Sequence, residues 1–152
     1  MATSTTKGNT LEAKQVKTLL DGIFNVLNEI GRPNAKPDQA KLSKYFAPDF
    51  QLTANENKSA AQNLNQLQER MQKIKAEYPT IEFSKFEEPP LVDQNRIAIH
   101  YTMNVTDKNN KKQALLVAAF LTIEEDKVSK WHEIVHEKDA GICLNSCSSS
   151  KK

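Results

Sequence analysis

At Pro79 the spacing of apolar residues changes, and that change limits what the chain can fold into. Before it they recur every three or four positions; after it, every second position. The first pattern belongs to helices with one buried face, the second to half-buried strands. Helices followed by strands predict an α+β domain, with the helices gathered on one face of a strongly curved, four-stranded antiparallel meander. At 152 residues the chain is sized for one domain and buries roughly two-thirds of its unfolded surface, enough for a core without staples. It shows no internal repeat.

The helical half divides into three. Asn9 and Glu12 fit a capping box. They would open a helix of about five turns with the stripe Val16, Leu19, Leu20, Ile23, Phe24, Leu27 and Ile30. Gly31 is expected to end it in a left-handed cap, and Pro33 to block continuation. Asp38 can cap a short second helix that buries Leu42, Tyr45 and Phe46 and stops at Pro48. "FQLT", residues 50–53, reads as a brief strand. A third helix is expected from Ser59, with Gln62 as its capping partner. Ala60, Leu64, Leu67, Met71, Ile74 and Tyr78 form its stripe, and Pro79 closes it.

In the second half, Ile81 and Phe83 alternate with polar residues until Pro89–Pro90 breaks the run. "RIAIHYTMNVTD" places Ile97, Ile99, Tyr101, Met103 and Val105 on one face. "DKNNKK" is a turn. "QALLVAAFLTIEE" is apolar on both faces, which requires a central strand covered twice. Three helices can cover only one of those faces. After "EEDK" turns the chain, "KVSKWHEIVHEKD" is the last strand.

Composition excludes several classes of function. The net charge of +2 is too small to argue for nucleic acid. No apolar run is long enough for a membrane span, and "MATSTTKGNT" lacks the apolar stretch of a signal peptide. A cytoplasmic location is therefore expected. The glycines, at 8, 22, 31 and 141, do not cluster into a phosphate loop. Residues 1–8 and the Ser/Lys-rich tail 139–152 are expected to be flexible flanks of a domain at 9–138. Cys143 and Cys147 would be reduced thiols in that tail.

The densest chemistry lies in "KVSKWHEIVHE", residues 127–137. His132, Glu133 and His136 match the letters of a helical zinc motif. The segment is β-branched and aromatic, however, and follows a turn, so it reads as a strand. His132 and His136 would then stand roughly 13 Å apart along it, too far to share one ion. No metal and no cofactor is expected. On a strand, Trp131, Glu133 and Val135 share one face, and the histidines share the other. His100 falls on the outward side of its own strand.

The order of elements, and the strings "YFAPDFQLTANENKSAAQNLNQL", "RIAIHYTMNV" and "ALLVAAFLTIEEDKVSKWHEI", resemble the nuclear transport factor 2-like superfamily and its SnoaL-like branch. The resemblance covers residues 11 to 138. It implies a cone, in which a curved sheet wraps the long first helix and leaves a pocket at the open end. It also implies a homodimer through the outer sheet face, which would cover Ala114, Leu116, Ala118 and Phe120. By resemblance to limonene epoxide hydrolases and SnoaL-like cyclases, the acid two after the tryptophan, Glu133, points into the pocket and can act as a base. The epoxide hydrolases' Arg–Asp pair is missing: this chain has His100, Tyr101, Thr102 and Met103 at the corresponding place. Ketosteroid isomerases of the superfamily add a tyrosine donor, a role that Tyr101 or Tyr45 could fill. The expected pocket is lined by Phe24, Phe46, Gln51, Thr53, Met103 and Trp131, with Gln51 and Thr53 holding a water. Desolvation there would raise the pKa of Glu133 toward the range useful for proton transfer. Three functions follow as expectations: binding of a small apolar ligand, proton-transfer catalysis as a lyase, isomerase or cyclase, or a protein-interaction module.

Overall fold

A computed structural model describes residues 11–84 and 88–137. The expected flexible ends, Asn9 and the cysteine tail lie outside the described residues. The elements run α1 (Ala13–Ile30), α2 (Gln39–Leu42), β1 (Phe46–Ala54), β2 (Asn57–Ala61), α3 (Leu64–Glu77), β3 (Thr80–Phe83), β4 (Leu91–Asp93), β5 (Arg96–Thr106), β6 (Lys112–Glu124) and β7 (Lys127–Glu137). They form one mixed, seven-stranded sheet in the order β2-β1-β7-β6-β5-β3, with β4 also paired to β5. Every pairing is antiparallel except β1 with β7. The expected α+β cone is what forms, with more strands than the meander the sequence predicts.

Helix α1 fills the concave side. Leu20, Ile23 and Leu27 are buried against the inward residues of the long strands, among them Ile97, Val117, Leu121 and Val128. The capping box at its start is Glu12 with Gln15, one turn later than Asn9 with Glu12. On β5 and β6 the expected alternation holds: Ile97, Ile99, Tyr101 and Val105 are buried, as are Val117, Ala119, Leu121 and Ile123. Between Thr122 and Ile123 the register on β7 shifts, so Ser129 is the extra residue of a bulge. Such a residue bends its strand and increases the twist.

Three local expectations are corrected. The segment around Ser59 is not helical but forms β2, a hairpin with β1 across a turn containing Asn55 at φ 53°. Helix α3 starts only at Leu64, where the Asn63 side chain accepts from the Gln66 N–H at 2.8 Å. Pro48 does not end a helix. It lies inside β1, within the stretch from Phe46 to Gln51 where the β1–β7 register shifts, and a residue without an N–H is tolerated there. Phe46 accordingly belongs to the strand.

Gly31 is the third correction. Its φ is −76°, so it forms no left-handed cap; Asn34, at φ 67°, takes that conformation instead. What the position requires is space. A Cβ on Gly31 would sit 1.9 Å from the Ile81 carbonyl oxygen, because the Ile81 N–H donates to the Gly31 carbonyl at 2.8 Å. Beside this contact the Asn28 amide donates to the Phe83 carbonyl at 3.2 Å and accepts from its N–H at 2.7 Å. Strand β3 is thereby docked on the end of α1. Gly22 is tight for a different reason: a Cβ there would meet the ring of Tyr45 at 2.5 Å, and a ring can turn aside. Gly31→Ala should therefore cost about 2 kcal/mol or more, lowering Tm by roughly 4–8 °C. Gly22→Ala should cost clearly less, since alanine also raises helix propensity. Thermal denaturation of both variants checks the order; equal losses would contradict it.

Candidate functional site

The open end of the cone holds a cavity of about 120 Å³. Helix α1 contributes Leu27 and Ile30, β1 contributes Phe46, Phe50 and Leu52, and β3 contributes Ile81 and Phe83. Helix α3 forms the opposite wall with Leu67, Arg70, Met71, Ile74 and Lys75. The back is Tyr101 and Met103 of β5 with Trp131 and Glu133 of β7. Period two puts Trp131 and Glu133 on the same side of β7. The pairing Ala119↔Glu133 confirms that side as the inner one, because Ala119 is buried.

Glu133 is held at both ends. Its carbonyl accepts from the Asn55 N–H at 2.8 Å, and the next inward residue, Val135, donates its N–H to the Asn55 side chain at 2.9 Å. Its carboxylate accepts from the indole N–H of Trp131 at 3.1 Å. Burial pushes its pKa up; the Trp131 hydrogen bond and the charge of Arg70 oppose that rise without cancelling it. Tyr101 is buried. Desolvation, and then the nearby charge of Glu133, push its hydroxyl well above the ordinary phenol range, so it stays protonated and able to donate. Such a pair can take a proton from an occupant and give one to it.

The cationic residues of α3 differ. The Lys75 ammonium donates to the Arg32 carbonyl at 2.5 Å and the Pro79 carbonyl at 2.6 Å, which ties down the chain on either side of α3. Burial lowers its pKa. Among the described residues Arg70 makes no hydrogen bond and no ion pair, although its charge reaches Glu133.

Of the residues expected at the site, Phe46, Tyr101, Met103, Trp131 and Glu133 converge on the cavity. Phe24 stands one layer behind, edge-on to Tyr101 at 4.9 Å. Tyr45 packs over Gly22 and does not line the cavity. Gln51 and Thr53 pair with Lys130 and His132 on the outward side of the sheet, so neither can hold a water in the pocket. Their inward neighbours Phe50 and Leu52 take those places. His132 and His136 are exposed on that outer side, as is His100, 3.7 Å from Glu88. Sequence reasoning missed Arg70. The available signal was its place three after Leu67 and next to Met71, on the flank of the apolar stripe.

Among the described residues no cluster of three histidines, cysteines or acids could hold a metal, and no helix is long and apolar enough to cross a membrane.

No family model and no curated protein matches the sequence. Solved structures do match in shape. A SnoaL-like protein from Jannaschia sp. CCS1, proposed to be a polyketide cyclase, is 9% identical and superposes with a TM-score of 0.63 over 78% of this chain and 85% of its own. An NTF2-like protein of unknown function from Burkholderia pseudomallei K96243 is 13% identical, with a TM-score of 0.65 over 83% and 92%. An LEH-like epoxide hydrolase from M. tuberculosis is 10% identical, with a TM-score of 0.60 over 81% and 84%. The chain therefore has the NTF2-like fold, in the form shared with SnoaL-like proteins.

Proposed function

We propose that this chain binds a small, mainly apolar molecule in the cone cavity. One observation carries the reading: a cavity walled by aliphatic and aromatic side chains with Glu133 held at its back by the Trp131 indole. A volume near 120 Å³ suits an occupant about the size of one aromatic ring; a dry apolar cavity of about 150 Å³ takes benzene. Burying about 150 Å² of such a ring supplies roughly 4 kcal/mol, from which the cost of association is subtracted, so apolar contact alone gives binding no tighter than about 1 mM. The electrostatic coupling of Glu133 and Tyr101 favours a second reading of the same cavity, in which Glu133 takes a proton from the bound molecule and Tyr101 stabilises the resulting oxyanion.

The outer face of the sheet supports the partner expected from the sequence, a second copy of the chain. Outward positions of β5 from Ala98 to Asn104, of β6 from Ala114 to Thr122 and of β7 from His132 to His136 carry no Asp, Glu, Lys or Arg, although 26% of the chain is charged. Depletion of charge is the compositional mark of an interface core. Ile134 is 50% exposed, Phe120 42% and Leu116 40%, and the pairings Phe120↔His132, Ala118↔Ile134 and Leu116↔His136 place them in one patch.

Trp131 is the only tryptophan, so its fluorescence reports on the cavity directly. Benzyl alcohol should change its emission saturably at millimolar concentration, and Leu67→Phe, which fills the cavity, should weaken the effect. An emission indifferent to the probe would remove the binding reading. Glu133→Gln tests the acid. Between the ordinary glutamate pKa near 4.3 and its raised folded value, the folded state holds more protons than the unfolded state. This group's contribution therefore becomes destabilising as pH rises, absent below about pH 4 and complete above the raised value. The Tm of Glu133→Gln minus that of the wild type should grow from about pH 4 to pH 7. Any substrate that is turned over should be turned over at least about a hundredfold more slowly by this variant; an undiminished rate would leave Glu133 a binding group only. Wild type should sediment as a dimer and Phe120→Asp as a folded monomer, with a monomeric wild type ruling out the partner.

A further inference from the structure

The cavity's unused hydrogen-bonding capacity is lopsided. Its polar and titratable groups are Glu133 on β7, Tyr101 on β5, and Arg70 and Lys75 on α3. Lys75 already serves two backbone carbonyls. The Glu133 carboxylate already accepts from Trp131. Arg70, with five N–H donors, and the Tyr101 hydroxyl have no hydrogen-bond partner among the described residues. Arg70 is a cation whose donors are unused, while the Glu133 carboxylate already has one bond and the Tyr101 hydroxyl can donate or accept. An occupant that brings oxygen acceptors gains more here than one that brings donors, because a charged donor satisfied away from bulk water forms the stronger kind of bond.

Resting on the binding reading above, we propose that the ligand is a small apolar monocarboxylate, its ring or chain in the cone and its carboxylate set between Arg70 and Tyr101. The guanidinium offers a planar fork that matches two carboxylate oxygens. The position of Arg70 fits this role. It lies on the same side of α3 as Leu67, Met71 and Ile74, so its stem runs along the apolar wall while its charge reaches Glu133 without pairing to it. Glu133 sets the terms of binding. A second carboxylate in the cavity raises the cost of its own charge, so the two acids take up one proton between them. Protonated Glu133 then becomes a donor to the ligand. Arg70 and Lys75 oppose that uptake, and Tyr101, neutral throughout, does not. Binding should therefore strengthen as pH falls toward the raised pKa of Glu133, in the window above the ligand's own ionisation.

Three probes of equal ring size and different charge separate the possibilities: benzoate, benzyl alcohol and benzylammonium. Affinities are read from Trp131 emission and by calorimetry on the full chain. Benzoate should bind about tenfold to a hundredfold more tightly than benzyl alcohol. Arg70→Met should remove most of the preference for benzoate over benzyl alcohol, read as the ratio of the two affinities in the same variant. Arg70→Lys should keep part of the preference, and Glu133→Gln should flatten the pH dependence. If benzylammonium binds best, or benzoate and benzyl alcohol bind alike, or Arg70→Met keeps the preference, the carboxylate assignment is wrong while the cavity remains a binding site. If none of the three binds, the binding reading itself fails and takes this inference with it.

Discussion

The parallel pairing of β1 with β7 is the contact on which the rest of the structure depends. It joins residues some eighty positions apart and turns a hairpin ladder into a cone. Leu52 lies beside Trp131 and Ala54 beside Glu133, so the pairing brings Phe50 and Leu52 to the wall that Trp131 and Glu133 complete. Asn55 secures the same corner. Its left-handed backbone reverses the chain into β2 while its N–H and side chain hold β7 on either side of Glu133. A residue with a short polar side chain tolerates that conformation better than most. The turn that ends β1 therefore also fixes the position of the acid.

Local pattern made much of this architecture legible. The stripe of α1 and the alternation of β5 and β6 repeat long enough that noise does not hide them, and the face of β7 bearing Trp131 and Glu133 follows from period two alone. What the pattern could not reach was set by partners distant in sequence. Residues 57–61 carry helix-like punctuation, yet pair with β1 because a hairpin places an edge beside them. Leu91–Asp93 is too short to announce itself and exists as a strand because β5 offers a free edge. Gln51 and Thr53 were expected inside because their strand was known without its register. Inward and outward sets differ by one residue, so a register error of one exchanges them all. Arg70 was hidden by composition: a charged residue on a helix is ordinarily a solvated one, and only the third wall of the cavity shows otherwise.

The two faces of β6 divide the fold's tasks. Val117, Ala119, Leu121 and Ile123 fill the core against α1, and small Ala119 leaves room where Glu133 stands opposite it. The other face repeats apolar residues without a helix to cover them. A sheet used only for stability would carry polar or charged side chains there. Apolar residues on a water-facing sheet are instead a liability, which the proposed second copy of the chain would remove.

Glu133 is the residue that most favours the proposed reading of the cavity as a binding site. Burial raises the cost of its charge, and one indole N–H and a distant guanidinium offset only part of that cost. A leucine or glutamine at the same place would pack against Ala119 and Trp131 without it. Arg70 on the other wall is half-buried and makes no hydrogen bond or ion pair among the described residues, so its guanidinium is free to meet an occupant. Two charged groups facing each other across the cavity in a mainly apolar lining are what the proposed binding reading uses: each gains from a molecule that brings it a hydrogen bond.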